Sequence, residues 1–145
     1  MIFRGMTEEG KRVKGYYFRI GSSVRPDEHL SYIIVDKVND NKSIHVNLGS
    51  YEQFCCYKII PESLSMSTGQ VDMNKEEIFG SIEYEKGKMS RGGDKVKLKH
   101  GTQGMEHEGN VIWGTVGFYV KGLGGDWSMD TPFIEIIGNQ FEEQE

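Results

Sequence analysis

Five basic side chains lying close together give this sequence its clearest capacity for chemistry. Residues 86–100, KGKMSRGGDKVKLKH, hold six Lys or Arg and a single acid. Lys95, Lys97 and Lys99 alternate with Val96 and Leu98, so on a strand their three ammonium groups share one face. Lys88 and Arg91 fall on the adjoining loop. Such a stripe could track a phosphate backbone, with Tyr84 or Trp113 near enough in sequence to stack on bases. The same pattern also describes a solvated strand face, where Lys discourages edge-to-edge aggregation. The aromatics do not interleave with the lysines and the net charge is −5, which favours the solvated face.

Other reactive residue types form weaker sets. His100, Glu106, His107 and Glu108 would make a mixed metal site if a hairpin drew them together. Their spacing matches no zinc or calcium pattern, so a solvated turn is the expectation and no metal is assigned. His29 and His45 have no acid or nucleophile at a recognisable spacing. Cys55 and Cys56 are adjacent, so a strand would point them to opposite faces and a bond between them would be strained. They read as reduced structural thiols. Gly87-Lys88 resembles the end of a phosphate-binding loop, but Met89 stands where a Ser or Thr would hold magnesium. GLGGDW (Gly122 to Trp127) lacks the dinucleotide-binding spacing and reads as a turn. Asp126, Asp130 and Glu135 are dispersed acids. No Ser or Cys lies in a nucleophile elbow, so no catalytic residue and no cofactor is assigned. Asn41-Lys42-Ser43 matches a glycosylation acceptor by chance.

The elements that would carry these residues are short and rich in β-branched and aromatic side chains, with Gly, Asn, Asp and Ser between them. Phe3-Arg4-Gly5 opens the first strand, and Lys14 to Gly21 forms the second. SSVRPDEH is a loop. Ser31 to Val38 and Ser43 to Gly49 are expected to pair as a hairpin through Asn39-Asp40-Asn41. Phe54 to Ile60 is a further strand, closed by Pro61, which suits the start of a single helical turn. Ile78 to Tyr84 is strand-like, Lys86 to Gly93 reads as a flexible basic loop, and Asp94 to His100 carries the lysine stripe. Asn110 to Lys121 offers Ile112, Val116, Phe118 and Val120 to a core. Phe133 to Ile137 is the last strand, followed by an acidic tail expected to fray. Trp113, Phe118, Tyr119 and Trp127 read as hairpin-packing residues, an exposed subset of which would suit a protein interface.

No window of 15 residues keeps a helical apolar period. The expectation is therefore a mainly β fold, antiparallel sheets or a small barrel with one or two short helices. A chain of 145 residues with seven Phe, seven Tyr and two Trp can bury a core, which excludes a disordered protein. One domain, 1–145, is expected, with an N-terminal part (1–60) and a barrel-like C-terminal part (61–145). No apolar run reaches the roughly 20 residues of a membrane span. MIFRGMTEEG lacks the apolar stretch of a signal peptide, and a cytoplasmic protein is expected.

Read in order, several segments resemble the YopX family of phage and prophage proteins. FRGMTEEGKRVKGYYF (Phe3 to Phe18) is similar to its opening, a Phe-Arg leading through a charged hairpin to a Gly-Tyr strand. IIPESLSMSTGQVDMNKEEIF (Ile59 to Phe79) resembles its Pro-Glu, Thr-Gly, Asp-x-Asn and Ile-Phe pattern. Gly93-Asp94-Lys95-Val96 resembles the Gly-Asp-Ile-Val that opens its C-terminal part, NVIWGTVGFYV (Asn110 to Val120) the following hairpin, and IEIIGNQFE (Ile134 to Glu142) its ending. The departure is GSIEYEKGKMSR, inserted between Phe79 and Gly93, which carries much of the basic island. The resemblance implies a mainly β protein of phage or prophage origin and implies no activity, cofactor or catalytic residue. The functional expectation is a non-enzymatic accessory protein that binds another macromolecule, a protein first of all. Its sheet edges offer a route to a homo-oligomer. The alternative is a nucleic-acid-binding module using Lys88, Arg91, Lys95, Lys97 and Lys99.

Overall fold

A computed structural model describes residues 2–21, 29–35, 44–47 and 53–142. The chain runs β1 (Phe3–Met6), β2 (Arg12–Gly21), β3 (His29–Val35), β4 (Ile44–Asn47) and β5 (Gln53–Lys58), then a 3-10 turn at Pro61–Ser63. It continues through β6 (Ser65–Val71), β7 (Glu77–Ser81), β8 (Glu83–Glu85), β9 (Lys88–Met89) and β10 (Asp94–Leu98). Last come β11 (His107–Trp113), β12 (Phe118–Lys121), β13 (Asp126–Trp127) and β14 (Ile134–Asn139). The fold is mainly β, as the alternating pattern requires. One curled sheet takes the order β13-β12-β11-β7-β6-β1-β2-β3-β5-β4. It forks at β11, which pairs with β10 through His107 to Asn110 and with β7, in parallel, through Ile112 and Ser81. β10 in turn pairs with β14.

The curl encloses two apolar clusters. Val13, Ile33, Tyr57, Ile59 and Leu64 pack together at the N-terminal end, and Ile78, Val96, Leu98, Val111, Val120 and Ile134 at the C-terminal end. Burying each aliphatic side chain contributes about 1.5–3 kcal/mol, so each cluster can hold its own strands. What joins them is polar. Arg4 on β1 donates from Nη2 to Asp94 Oδ1 at 2.8 Å and to the Gly92 carbonyl at 3.0 Å. The other carboxylate oxygen of Asp94 accepts the backbone N–H of Phe79 at 2.8 Å. The guanidinium lies 4.4 Å from the centre of the buried Phe79 ring. Asn139 also donates to the Gly92 carbonyl, at 2.9 Å. Burial lowers the pKa of Arg4, and the charge and hydrogen bond of Asp94 oppose that shift. β1, β7, β10 and β14 thus meet at one buried ion pair. The crossing leaves no room for side chains, because a Cβ on Gly93 would lie 2.5 Å from both the Ser81 nitrogen and the Val111 oxygen.

A second carboxylate covers a sheet edge. Among the described residues β14 pairs with β10 alone, and its outer side is capped by the turn after β6. Buried Asp72 accepts the N–H groups of Asn74 and Glu76 on Oδ1 and of Ile136 on Oδ2, while Met73 N–H donates to the Ile134 carbonyl. Burial pushes the Asp72 pKa up, but the backbone donors outweigh it and the net shift is downward. The VDMN segment is therefore an edge cap that also closes its own turn.

Several expectations need correction. The hairpin joining residues 31–38 to 43–49 does not form: β3 pairs with β5, which lies between β3 and β4. β5 brings Cys56 and Tyr57 into buried positions, so it takes an inner place and the four-residue β4 is left at the edge. The Asn39-Asp40-Asn41 turn lies outside the described residues. The basic stretch after Lys86 is not a loose loop. β8 and β9 form a hairpin, with Gly87 in the left-handed region at φ 78°, and Ile82 and Tyr84 pack against the N-terminal core. Ser90 ties it down through hydrogen bonds with Ile82 and Leu64. SMSTGQV is strand β6 despite its polarity, and Pro61 does start a single turn. Val116 belongs to no core: it sits fully exposed on the β11–β12 turn, because Gly114 to Gly117 breaks the alternation there. Glu142, in the acidic tail, is held by an ion pair to Arg12.

Arg4→Met should cost about 3–5 kcal/mol in chemical denaturation, since it strands a buried carboxylate. The double variant Arg4→Met/Asp94→Asn should cost less than the sum of the two singles. Asp72→Asn removes one acceptor and should lower stability by about 1–3 kcal/mol at neutral pH. Because the folded pKa of Asp72 lies below its unfolded value of 3.8, its contribution is present above that value. It disappears as the pH falls through the lowered folded pKa. Melts of wild type and Asp72→Asn should therefore converge below pH 3.8.

Candidate functional site

The lysines of β10 do share one face, as their alternation demands. Val96 and Leu98 are fully buried, and Lys95, Lys97 and Lys99 are half-buried on the other side. The strand is interior, however, flanked by β11 and β14, so its lysines guard no open edge. Their neighbours are acids as often as not. Lys97 stands directly opposite Glu108 on one side and Glu135 on the other, and opposite residues of antiparallel strands share a face. Lys99 lies over the Phe133 ring, 5.4 Å from its centre. Lys95 sits opposite Asn110, which in turn faces Lys121 on β12.

The two remaining basic residues are in ion pairs. Lys88 meets Glu85 at 3.1 Å, and that hydrogen bond raises its pKa. Arg91 meets Glu62 at 3.3 Å. The face is a mixed-charge lattice rather than a cationic track. The aromatics named for base stacking are also misplaced for that task. Tyr84 packs on the N-terminal core, and Trp113 projects from the face of β11 opposite to Glu108 and Asn110, away from the lysines.

The histidines lead elsewhere. His107 stacks on Trp127, ring centres 3.5 Å apart and 14° from parallel, and His100 Nε2 lies 2.9 Å from the Ser128 carbonyl oxygen. Both therefore hold the segment of β13 instead of converging with Glu106 and Glu108. Among the described residues no three His, Cys, Asp or Glu side chains are placed to hold a metal. Cys56 is buried. The side chains of His29, His45 and Cys55, and the Asn41-Lys42-Ser43 triplet, lie outside the described residues. Among those residues no helix is long and apolar enough to cross a membrane.

The segment held by the histidines borders an open, largely apolar cleft. The cleft, of about 470 Å³, lies between the β11–β12 turn and β13, lined by Val116, Phe118, Tyr119, Asp126, Trp127 and Ser128, among others. The aromatic side chains of this cleft were legible as hairpin-packing residues; the cleft itself was not. It exists because β13 is only two residues long. Val120 and Lys121 of β12 pair with Trp127 and Asp126, and the pairing stops there. Phe118, two residues before Val120, has its N–H and C=O on the same outer side, past the end of β13. The walls are fixed by packing: Trp127 by His107, and Phe118 by an edge-to-face contact with Trp113 at 4.9 Å. Val116 stands fully exposed at the rim, and Trp113, packed on Phe118, is 45% exposed.

Comparison with protein-family models, with curated proteins and with solved structures returns no match to this chain. Its function is read from its own geometry.

Lys97→Glu would place three carboxylates in one row across β11, β10 and β14. It should destabilise the protein by roughly 0.5–2 kcal/mol relative to Lys97→Gln in thermal melts, with the gap narrowing as salt is raised.

Proposed function

We propose that this chain is a phage or prophage-derived accessory protein that acts without catalysis, by binding another macromolecule, and that this partner is a protein. The resemblance to the YopX family supports the origin, and a cytoplasmic site of action goes with it. The observation that carries the interaction reading is the aromatic cleft with Val116 fully exposed at its rim and Trp113 packed on its Phe118. An aliphatic side chain held entirely in water at the tip of an ordered hairpin contributes nothing to the fold. Trp and Tyr are enriched at protein interfaces because each combines a large apolar surface with a polar handle. A second copy of the chain is one such protein partner, and the short β13 edge is where pairing between copies would begin.

The competing reading is nucleic-acid binding through residues 86–100. The pairing of Lys88 and Arg91 with carboxylates, and the place of Lys97 between Glu108 and Glu135, weigh against it. A phosphate backbone would have to displace those acids.

Affinity capture of tagged protein from phage-carrying cells, with and without nuclease, separates the two readings. A protein retained after nuclease and lost with Val116→Asp is the expected result. Recovery of nucleic acid that weakens steeply with salt and with Lys95→Glu would replace the interaction reading with the nucleic-acid one.

A further inference from the structure

The turn after β14 closes over the buried ion pair. β14 ends at Asn139, directly opposite Asp94, and Asn139 is itself buried. Its side chain works in two directions. Nδ2 donates to the Gly92 carbonyl at 2.9 Å, the same oxygen that Arg4 uses, and Oδ1 accepts the N–H of Phe141 at 3.0 Å. The N–H of Gln140 donates to the Gly93 carbonyl at 3.1 Å. Beyond these bonds the chain crosses toward β1 and β2. Phe141 lines, with Arg4, Met6, Arg12 and Gly92, a cavity of only about 10 Å³, no larger than one water molecule needs. Glu142 then forms its ion pair with Arg12 on β2, which stands opposite Met6 of β1. Burial disfavours the charged form of Arg4, and Glu142 is among the groups that oppose this.

The two fastenings are unequal. The side toward β10 is held by hydrogen bonds to the carbonyls of Gly92 and Gly93, made at a buried asparagine and its neighbour. The side toward β2 is held by an ion pair whose side chains are 39% and 51% exposed. Such a pair is weak and is screened by salt. One side is therefore a hinge and the other a catch.

We infer that residues 140–142 are a charge-operated latch: hinged at Asn139, they close over Arg4 and Asp94 by pairing Glu142 with Arg12, and their release lets water into the joint between the two cores. Closed, the latch keeps the ion pair dry and β1 and β10 in one register. Open, it leaves a hydrated pair, which attracts far less strongly than a buried one, so the joint loosens while each apolar cluster stays packed.

Hydrogen exchange on the full chain reads the latch amide by amide. The N–H of Phe79, which donates to Asp94, reports water entering the joint. Amides within the β2–β3 and β11–β12 pairings report each core by itself. Glu142→Lys sets two cations together and should speed exchange at Phe79 by about threefold or more, with the core amides unchanged. Adding Arg12→Glu rebuilds the pair in reverse and should restore the wild-type rate. Raising salt to about 1 M should speed Phe79 exchange in the wild type but not in Glu142→Gln. The latch is overturned if Glu142→Lys leaves Phe79 unchanged, if all amides accelerate together, or if the reversed pair restores nothing. Should the double variant not fold, the salt comparison decides, and an equal response of wild type and Glu142→Gln overturns the inference.

Discussion

The buried pair of Arg4 and Asp94 is the constraint around which the two ends of the molecule are arranged. A guanidinium and a carboxylate removed from water cost several kcal/mol each unless every polar atom finds a partner. Here the partners come from far apart in the chain: the Gly92 carbonyl, the Phe79 amide and the Phe79 ring. Satisfying the pair therefore requires β1, β7 and the start of β10 to be in place together. The apolar clusters on either side could each tolerate small shifts, but the ion pair tolerates few. It works less as net stabilisation than as a fixed register between two cores. Gly92 and Gly93 are its corollary, since the backbone must pass close enough for the Gly92 carbonyl to reach Arg4.

From that register the cleft follows. β10 enters at Asp94, β11 returns beside it, and the fork at β11 turns the last strands away from the N-terminal sheet. The hairpins after β11 are then peripheral and short. β14 is capped by Asp72 and Met73, whereas β12 is covered only as far as Trp127 reaches. The protein blunts one edge and leaves part of another open, with two histidines holding the short strand that marks the boundary.

Much of this was legible in the residues. Period-two alternation around Val96 and Leu98 placed the lysines on one face, and Pro61 marked its turn. The failures share a cause, which is that pairing is a long-range choice. Residues 31–38 and 43–49 both looked like strands with a turn between them, yet β3 prefers β5, whose buried Cys56 and Tyr57 suit an inner position. The Ser-rich β6 carried no apolar alternation because its neighbours β1 and β7 supply the burial. Arg4 and Asp94 were visible only as family-like letters, since nothing local marks a charge 90 positions away as its partner.

Sequence alone determined the class of fold, because β-branched and aromatic alternation broken by Gly and Asn can bury itself only as sheet. It also determined that Lys95, Lys97 and Lys99 would share one face of a strand, whereas the hairpin that carries Lys88 emerged only in the fold. Tertiary structure decided what those charges do. Only the register of β11, β10 and β14 sets Lys97 between Glu108 and Glu135, and only the fold sets Glu62 beside Arg91. The same holds for the cleft. Phe118 and Trp127 come to line one cleft when β13 stops short, because where strands end relative to one another depends on the whole sheet and not on either residue's neighbours in the chain.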